Sequence, residues 1–166
     1  MIIRDTEIFD APRAAVFALT RDRFEEYLAL VPAVKSVKLL SSHSPAPGVI
    51  ANSTEWVGSA RIPSTVKNRL NPDMLRWRIH CVWDENLWTC RWRAETFHFR
   101  DIFDCRGDIA YHDIRGSLTR CALTVNLKVF MPVFGAAVER FIARNYLDKN
   151  LMMNKEAIKT IVASAK

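Results

Sequence analysis

The chain has 166 residues, 49% of them apolar and 25% charged, with a formal net charge of +6. That length is one domain able to bury roughly 70% of its unfolded surface, and the mix excludes a disordered or fibrous polymer. No apolar run approaches the ~18 residues of a membrane span, since the longest, 129–138, holds a proline.

The N-terminus, Met1-Ile2-Ile3-Arg4-Asp5, turns acidic at once and lacks the shape of a signal peptide. A reducing, cytoplasmic setting is therefore expected, with the four cysteines as thiols. The positive charge favours anionic partners (lipid headgroups, nucleic acid, acidic small molecules), although it also serves solubility alone.

Residues 2–10 read as a strand that breaks at Asp10-Ala11-Pro12. Pro12 suits the first turn of a helix, and Asp22-Arg23-Phe24-Glu25 restates an N-cap, so two short helices are expected before Pro32. A strand follows over 34–40, a Pro- and Ser-rich loop over 41–48, and a strand over 49–57. Residues 58–73 are ambiguous: Ile62, Val66 and Leu70 fall four apart among Arg61, Lys67 and Arg69. They fit a short basic amphipathic helix or a surface turn.

Four alternating strands come next, over 75–83, 88–96, 103–111 and 121–129. Their apolar registers carry Trp77 and Ile79, then Trp88 and Trp92, then Phe103, then Leu123 and Val125. Such alternation predicts an antiparallel sheet packed on one face. From Pro132 to about Val162 the spacing of Phe134, Val138, Phe141, Ile142 and Tyr146 draws one apolar stripe down a long helix. The stripe then drifts, bringing Asn145 and Lys149 near its line. A long helix with one apolar stripe needs a concave apolar partner, and the sheet is the only candidate.

Chemistry-bearing constellations are few. Cys81, Cys90, Cys105 and Cys121 are nine, fifteen and sixteen residues apart, one per strand, which suits buried thiols and not a zinc site. His43, His80, His98 and His112 belong to no nucleophile motif, so no catalytic residue, metal or cofactor is expected. Arg76, Arg78, Arg91, Arg93 and Arg106 would form a stripe on the outer face. Nucleic-acid binding would need exposed aromatics beside it, whereas the tryptophans share the inward register, so cross-strand ion pairs are the favoured reading.

Four of the five tryptophans sit on two adjacent strands and face the helix. Aromatic-lined cavities are the usual form of a small-molecule site. The expected lining is Trp77, Ile79, Trp88, Trp92, Phe103, Leu123 and Val125 from the sheet, with Val138, Ile142, Asn145, Tyr146 and Lys149 from the helix.

The element order, and the stretches Asp10-Ala11-Pro12…Val16-Phe17, Tyr27…Val31-Pro32-Ala33-Val34, Glu55-Trp56…Ile62-Pro63-Ser64-Thr65-Val66-Lys67 and Val129-Phe130-Met131-Pro132-Val133-Phe134-Gly135…Val138-Glu139, resemble the START-like (SRPBCC) superfamily. The resemblance implies an α+β helix-grip fold: a curved, seven-stranded antiparallel sheet around a long C-terminal helix, with two short helices after the first strand. It also implies an internal cavity for a hydrophobic or lipid-like molecule. The third and fourth stretches are similar both to an uncharacterised bacterial branch and to the PRELI-type phospholipid carriers of mitochondria. By that likeness Ile62, Val66, Lys67, Arg69 and Leu70 would form a lid with Lys67 as its charge, touching an anionic membrane, in the mitochondrial intermembrane space for a true carrier of that type. A carrier or sensor of a lipid-like molecule is the first reading. A polyketide-cyclase-type enzyme is the second, because it needs an inward acid or base and the strand alternation supplies almost none. A protein- or RNA-binding module using the basic face is the third.

Overall fold

Strand alternation decides the layers. The computed structural model describes residues 1–59, 75–98 and 100–164, the side chain of Asn145 excepted. Among them run β1 (Ile2–Phe9), α1 (Arg13–Asp22), α2 (Phe24–Leu28), β2 (Val34–Ala46), β3 (Val49–Gly58), β4 (Arg76–Asp84), β5 (Thr89–Thr96), β6 (Phe103–Ile114) and β7 (Leu118–Val129). A C-terminal helix follows in three joined parts: α3 (Gly135–Ile142), a π-helical turn (Ala143–Leu147) and α4 (Asp148–Ser164). The described strands form one antiparallel sheet in the order β1-β7-β6-β5-β4-β3-β2. This is the α+β helix-grip arrangement.

The expected inward registers hold through β4 to β7. Trp83, Cys90, Cys105, Tyr111, Val125 and Leu127 are buried, while Arg91, Arg93, Arg106 and Lys128 are exposed. The outer face carries cross-strand ion pairs of Glu55 with Arg76 (2.9 Å) and Asp104 with Arg93 (3.8 Å), a pair within β6 between Asp104 and Arg106 (3.5 Å), and a cross-strand hydrogen bond between His80 and Glu95 (3.0 Å). The helices α1 and α2 close one end of the sheet. Phe17 meets Trp83, Trp88 and Tyr111 edge-on with centroids 5.1–5.5 Å apart. Burying a side chain such as Phe17 or Leu28 contributes about 1.5–3 kcal/mol. The buried Thr119 hydroxyl donates to the Ala11 carbonyl at 2.7 Å and so ties the start of α1 to β7.

Three expectations need correction. Residues 41–46 are not loop: β2 runs on to Ala46 and returns through Pro47-Gly48, with Gly48 at φ +73° where a side chain would be strained. Trp88 does not begin β5 but ends the β4–β5 turn at φ +55°, its ring under the Arg13 guanidinium at 4.3 Å. The C-terminal helix starts at Gly135 and not at Pro132, and its buried side is not the apolar stripe. A Cβ on Gly135 would lie 2.5 Å from the Val129 carbonyl oxygen, so only glycine lets the helix approach there. One turn on, Glu139 accepts the Val129 N–H at 2.9 Å. These two contacts turn Gly135, Glu139 and Ala143 towards the sheet, and Phe134, Phe141 and Tyr146 away from it. The π-helical turn holds one extra residue per turn and is the drift visible in the spacing.

Candidate functional site

A cavity of about 300 Å³ lies between the sheet, α1–α2 and α4. Its walls are aromatic and aliphatic: Trp56 from β3, Ile79 and Trp83 from β4, Trp92 from β5, Ile109 and Tyr111 from β6, and Leu123 from β7. Phe24 and Tyr27 of α2 and Leu151 and Ile158 of α4 complete them. The Cys81, Cys90 and Cys121 thiols also face it. Among the described residues no three His, Cys, Asp or Glu side chains converge as a metal site would need. Burial raises the pKa of Cys90 strongly and pushes that of Cys121 up to about 12, so these thiols act as small apolar groups.

Arg21 of α1 and Asn52 of β3 also line the cavity, and further charged groups collect along one edge. On β1 the parity that buries Phe9 also turns Asp5 and Glu7 inward, opposite Lys155 and Lys159 of α4. Lys155 Nζ lies 3.1 Å from Asp5 and 3.4 Å from Glu7, and Lys159 Nζ lies 3.1 Å from Glu7. Burial opposes the charge on Glu7, but hydrogen bonds from Lys159 and Lys155 outweigh it and hold its pKa below the usual carboxylate range. Burial likewise opposes the charge on Lys155, and Asp5 and Glu7 overcome it and hold its pKa above the usual lysine value. Both groups are therefore charged at neutral pH. Elsewhere the Thr20 hydroxyl shares a hydrogen bond with Tyr111 at 2.9 Å, and Thr54 accepts from the Trp56 indole at 2.8 Å. The Asn154 amide is engaged by the Asn150 carbonyl at 2.7 Å.

Of the side chains expected to line the site, Ile79, Trp92 and Leu123 do so. Trp77 stands behind the wall, stacked on Trp56 at 6.1 Å. Trp88 packs outside it against Phe17. Phe103, Val125 and Ile142 do not line the cavity but pack with Cys105 and Leu127 in an apolar cluster that adjoins Trp92 and Leu123. On the helix, Val138 is half-buried and away from the cavity, Tyr146 and Lys149 are exposed, and the Asn145 side chain lies outside the described residues. So do all five lid residues, Ile62, Val66, Lys67, Arg69 and Leu70. The sequence reading missed Asp5, Glu7 and Lys155. Counting back in twos from Phe9 would have found the two carboxylates. Their inward position removes the ground on which an enzyme ranked second, namely a lack of inward acids and bases. No helix among the described residues is long and apolar enough to cross a membrane.

Solved structures with this fold are plentiful, and three of them illustrate how little sequence they share with this chain. TTHA0849 from Thermus thermophilus is 18% identical with a TM-score of 0.73, over 100% of this chain and 99% of that one. The Zhui aromatase/cyclase from Streptomyces sp. R1128 is 14% identical with a TM-score of 0.71, over 98% and 93%. Norcoclaurine synthase from Thalictrum flavum, in complex with dopamine and hydroxybenzaldehyde, is 12% identical with a TM-score of 0.68, over 100% and 88%. Identities this low establish the START-like helix-grip fold and nothing finer. No curated protein matches the chain significantly. A family model described as "Protein of unknown function (DUF2505)" matches residues 6–159, nearly the whole chain, and the protein belongs to that family.

Proposed function

We propose that the protein binds one small amphipathic molecule in the cavity, with its apolar body against Trp56, Trp83, Trp92 and Leu123 and a polar end at the Asp5–Glu7–Lys155 edge. The observation that carries this reading is the cavity itself, about 300 Å³ with apolar walls and a charged edge. That volume equals on the order of ten water molecules at ~30 Å³ each, and it sits at the small end of known ligand pockets. A single-chain lipid fragment or a compound of one to three rings suits it, whereas a two-tailed phospholipid is too large.

A second reading, chemistry on the bound molecule, is favoured by the same edge and by the fold shared with the Zhui aromatase/cyclase. Proton transfer works best from groups that titrate near the working pH. Glu7 and Lys155 are pushed in opposite directions away from neutrality, which suits anchoring better than acid–base exchange.

The test is a titration with the fluorescent probe 1-anilinonaphthalene-8-sulfonate, read by quenching of tryptophan emission. Wild type should bind one probe per chain. Leu123→Trp, which fills the cavity, should abolish binding while the circular dichroism spectrum is kept. Equal binding by that variant would overturn the reading. A co-purified molecule that wild type alters on incubation, and Glu7→Gln returns unaltered, would favour the enzyme.

A further inference from the structure

The docking of α3 through Gly135 and Glu139 leaves an apolar surface pointing into solvent. Val133 is 93% exposed, Phe134 64%, Phe141 58% and Tyr146 57%, with Phe130 beside them at 54%. Exposed large apolar residues are ordinary when scattered, but these follow one another along a single edge. The Phe141 and Tyr146 rings touch at 6.1 Å, and Phe134 and Phe141 are two turns apart on one helix face.

The tip of this surface is also strained. Val133 sits at φ +68°, a left-handed conformation that a β-branched residue adopts only at a cost in energy. Glycine or asparagine would hold the same turn without strain. Folding thus gains nothing from the most exposed apolar side chain of the segment, and the side chain needs another use.

The charges around the surface decide what covers it. Lys128, with its ammonium 5.9 Å from the Phe130 ring, and Arg140, Arg144 and Lys149 are all exposed. Against them, among the described residues of α3 and the π-helical turn and their flanks, stands one exposed acid, Asp148, because Glu139 is buried on the Val129 N–H. Aromatic and aliphatic tips inside a ring of cations match the headgroup region of an anionic bilayer, where apolar groups insert and cations meet lipid charge.

We infer that the Phe130–Phe134 tip and the outer face of α3 form a docking surface for an anionic lipid membrane. This does not require the cavity to be occupied, and it uses a different part of the chain from residues 62–70.

The experiment is co-sedimentation of the full chain with vesicles of phosphatidylcholine alone and with ~30% phosphatidylserine. Wild type should bind the anionic vesicles and release them as salt is raised, since screening shortens the reach of exposed charges. Val133→Gly should leave the thermal midpoint unchanged or higher while weakening vesicle binding. Val133→Gly with Phe134→Ser should weaken it by ~tenfold or more, and Arg140→Glu with Arg144→Glu should act likewise. Circular dichroism and probe binding in the cavity should be unchanged in all three. Three results would overturn the inference: no binding to anionic vesicles, binding untouched by these substitutions, or a concentration-dependent dimer of wild type that the same substitutions dissolve.

Discussion

Replacing Gly107 by alanine probes the cavity wall from behind. Gly107 lies on β6 between Trp92 of β5 and Val125 of β7. A Cβ built there would stand 2.2 Å from the Thr124 carbonyl oxygen and 2.9–3.0 Å from the Trp92 ring. Ordinary carbon–oxygen contacts begin near ~3.3 Å, so the overlap with backbone is about 1 Å and cannot be relieved by a rotamer change. Overpacking of this kind costs ~1–3 kcal/mol, here towards the upper end because a ladder strand must move. Replacing a strand glycine by alanine returns ~0.5–1 kcal/mol of backbone entropy. The net loss is therefore about 1–2 kcal/mol, or a fall in Tm of roughly 2–8 °C for a chain this size. The displaced indole moves into the cavity, so probe affinity should fall in the same variant. Urea denaturation followed by tryptophan emission, together with the probe titration, reads both effects. A neutral or stabilising Gly107→Ala, or unchanged probe affinity, would refute the packing argument for Trp92.

Glu139→Leu should cost ~1–3 kcal/mol, because it leaves the Val129 N–H without its acceptor at a helix–strand junction, and urea midpoints would measure this. Stability should be flat between about pH 5 and 10 and fall outside that window. Glu7 has a folded-state pKa below 4.5, so its contribution is complete above the unfolded value and lost as pH falls through the folded one. Lys155 has a folded-state pKa above 10.5, so its contribution is complete below the unfolded value and lost as pH rises through the folded one. In Glu7→Gln the acid-side loss should shrink, as urea midpoints against pH would record. A thiol reagent at pH 8 should leave Cys90 and Cys105 unlabelled until the protein is unfolded, since both are buried and the Cys105 pKa is pushed up to about 12.

Strands β4 to β7 were legible because each alternates strictly and a one-residue slip would expose the whole apolar set. The two short helices were legible from Pro12 and the stop at Pro32, but the expected cap at Asp22 does not form. Asp22 ends α1 and pairs with Arg21, and Arg23 stands at the N-cap of α2 with no side-chain hydrogen bond to the helix. The far half of β2 was not. Residues 41–46 are exposed edge-strand residues with no apolar alternation, and register shifts at Val34/Ser36, Leu39/Ser41 and His43/Ala46 break what parity there is. The rotation of the C-terminal helix was hidden for another reason. It is set by a close approach at Gly135 and a backbone cap from Glu139, and neither adds to an apolar stripe. Helix spacing thus named Phe134, Phe141 and Tyr146 as the grip, and they face solvent. Trp92, Ile79 and Leu123 were found because the register that buries them is the one that faces the cavity. Asp5, Glu7 and Lys155 were missed because inward charges on an edge strand look like solvent charges until the helix that pairs them is in place.

The central claim is that the cavity holds a small molecule. Native mass spectrometry of freshly purified protein, run beside Leu123→Trp, tests it most directly. The account predicts a single small-molecule adduct on wild type, released on collisional heating, and none on the cavity-filled variant. Wild type found empty under conditions that keep it folded, and still empty after incubation with single-chain fatty acids and small aromatic phenols, would contradict it, as would an adduct of equal abundance on both proteins.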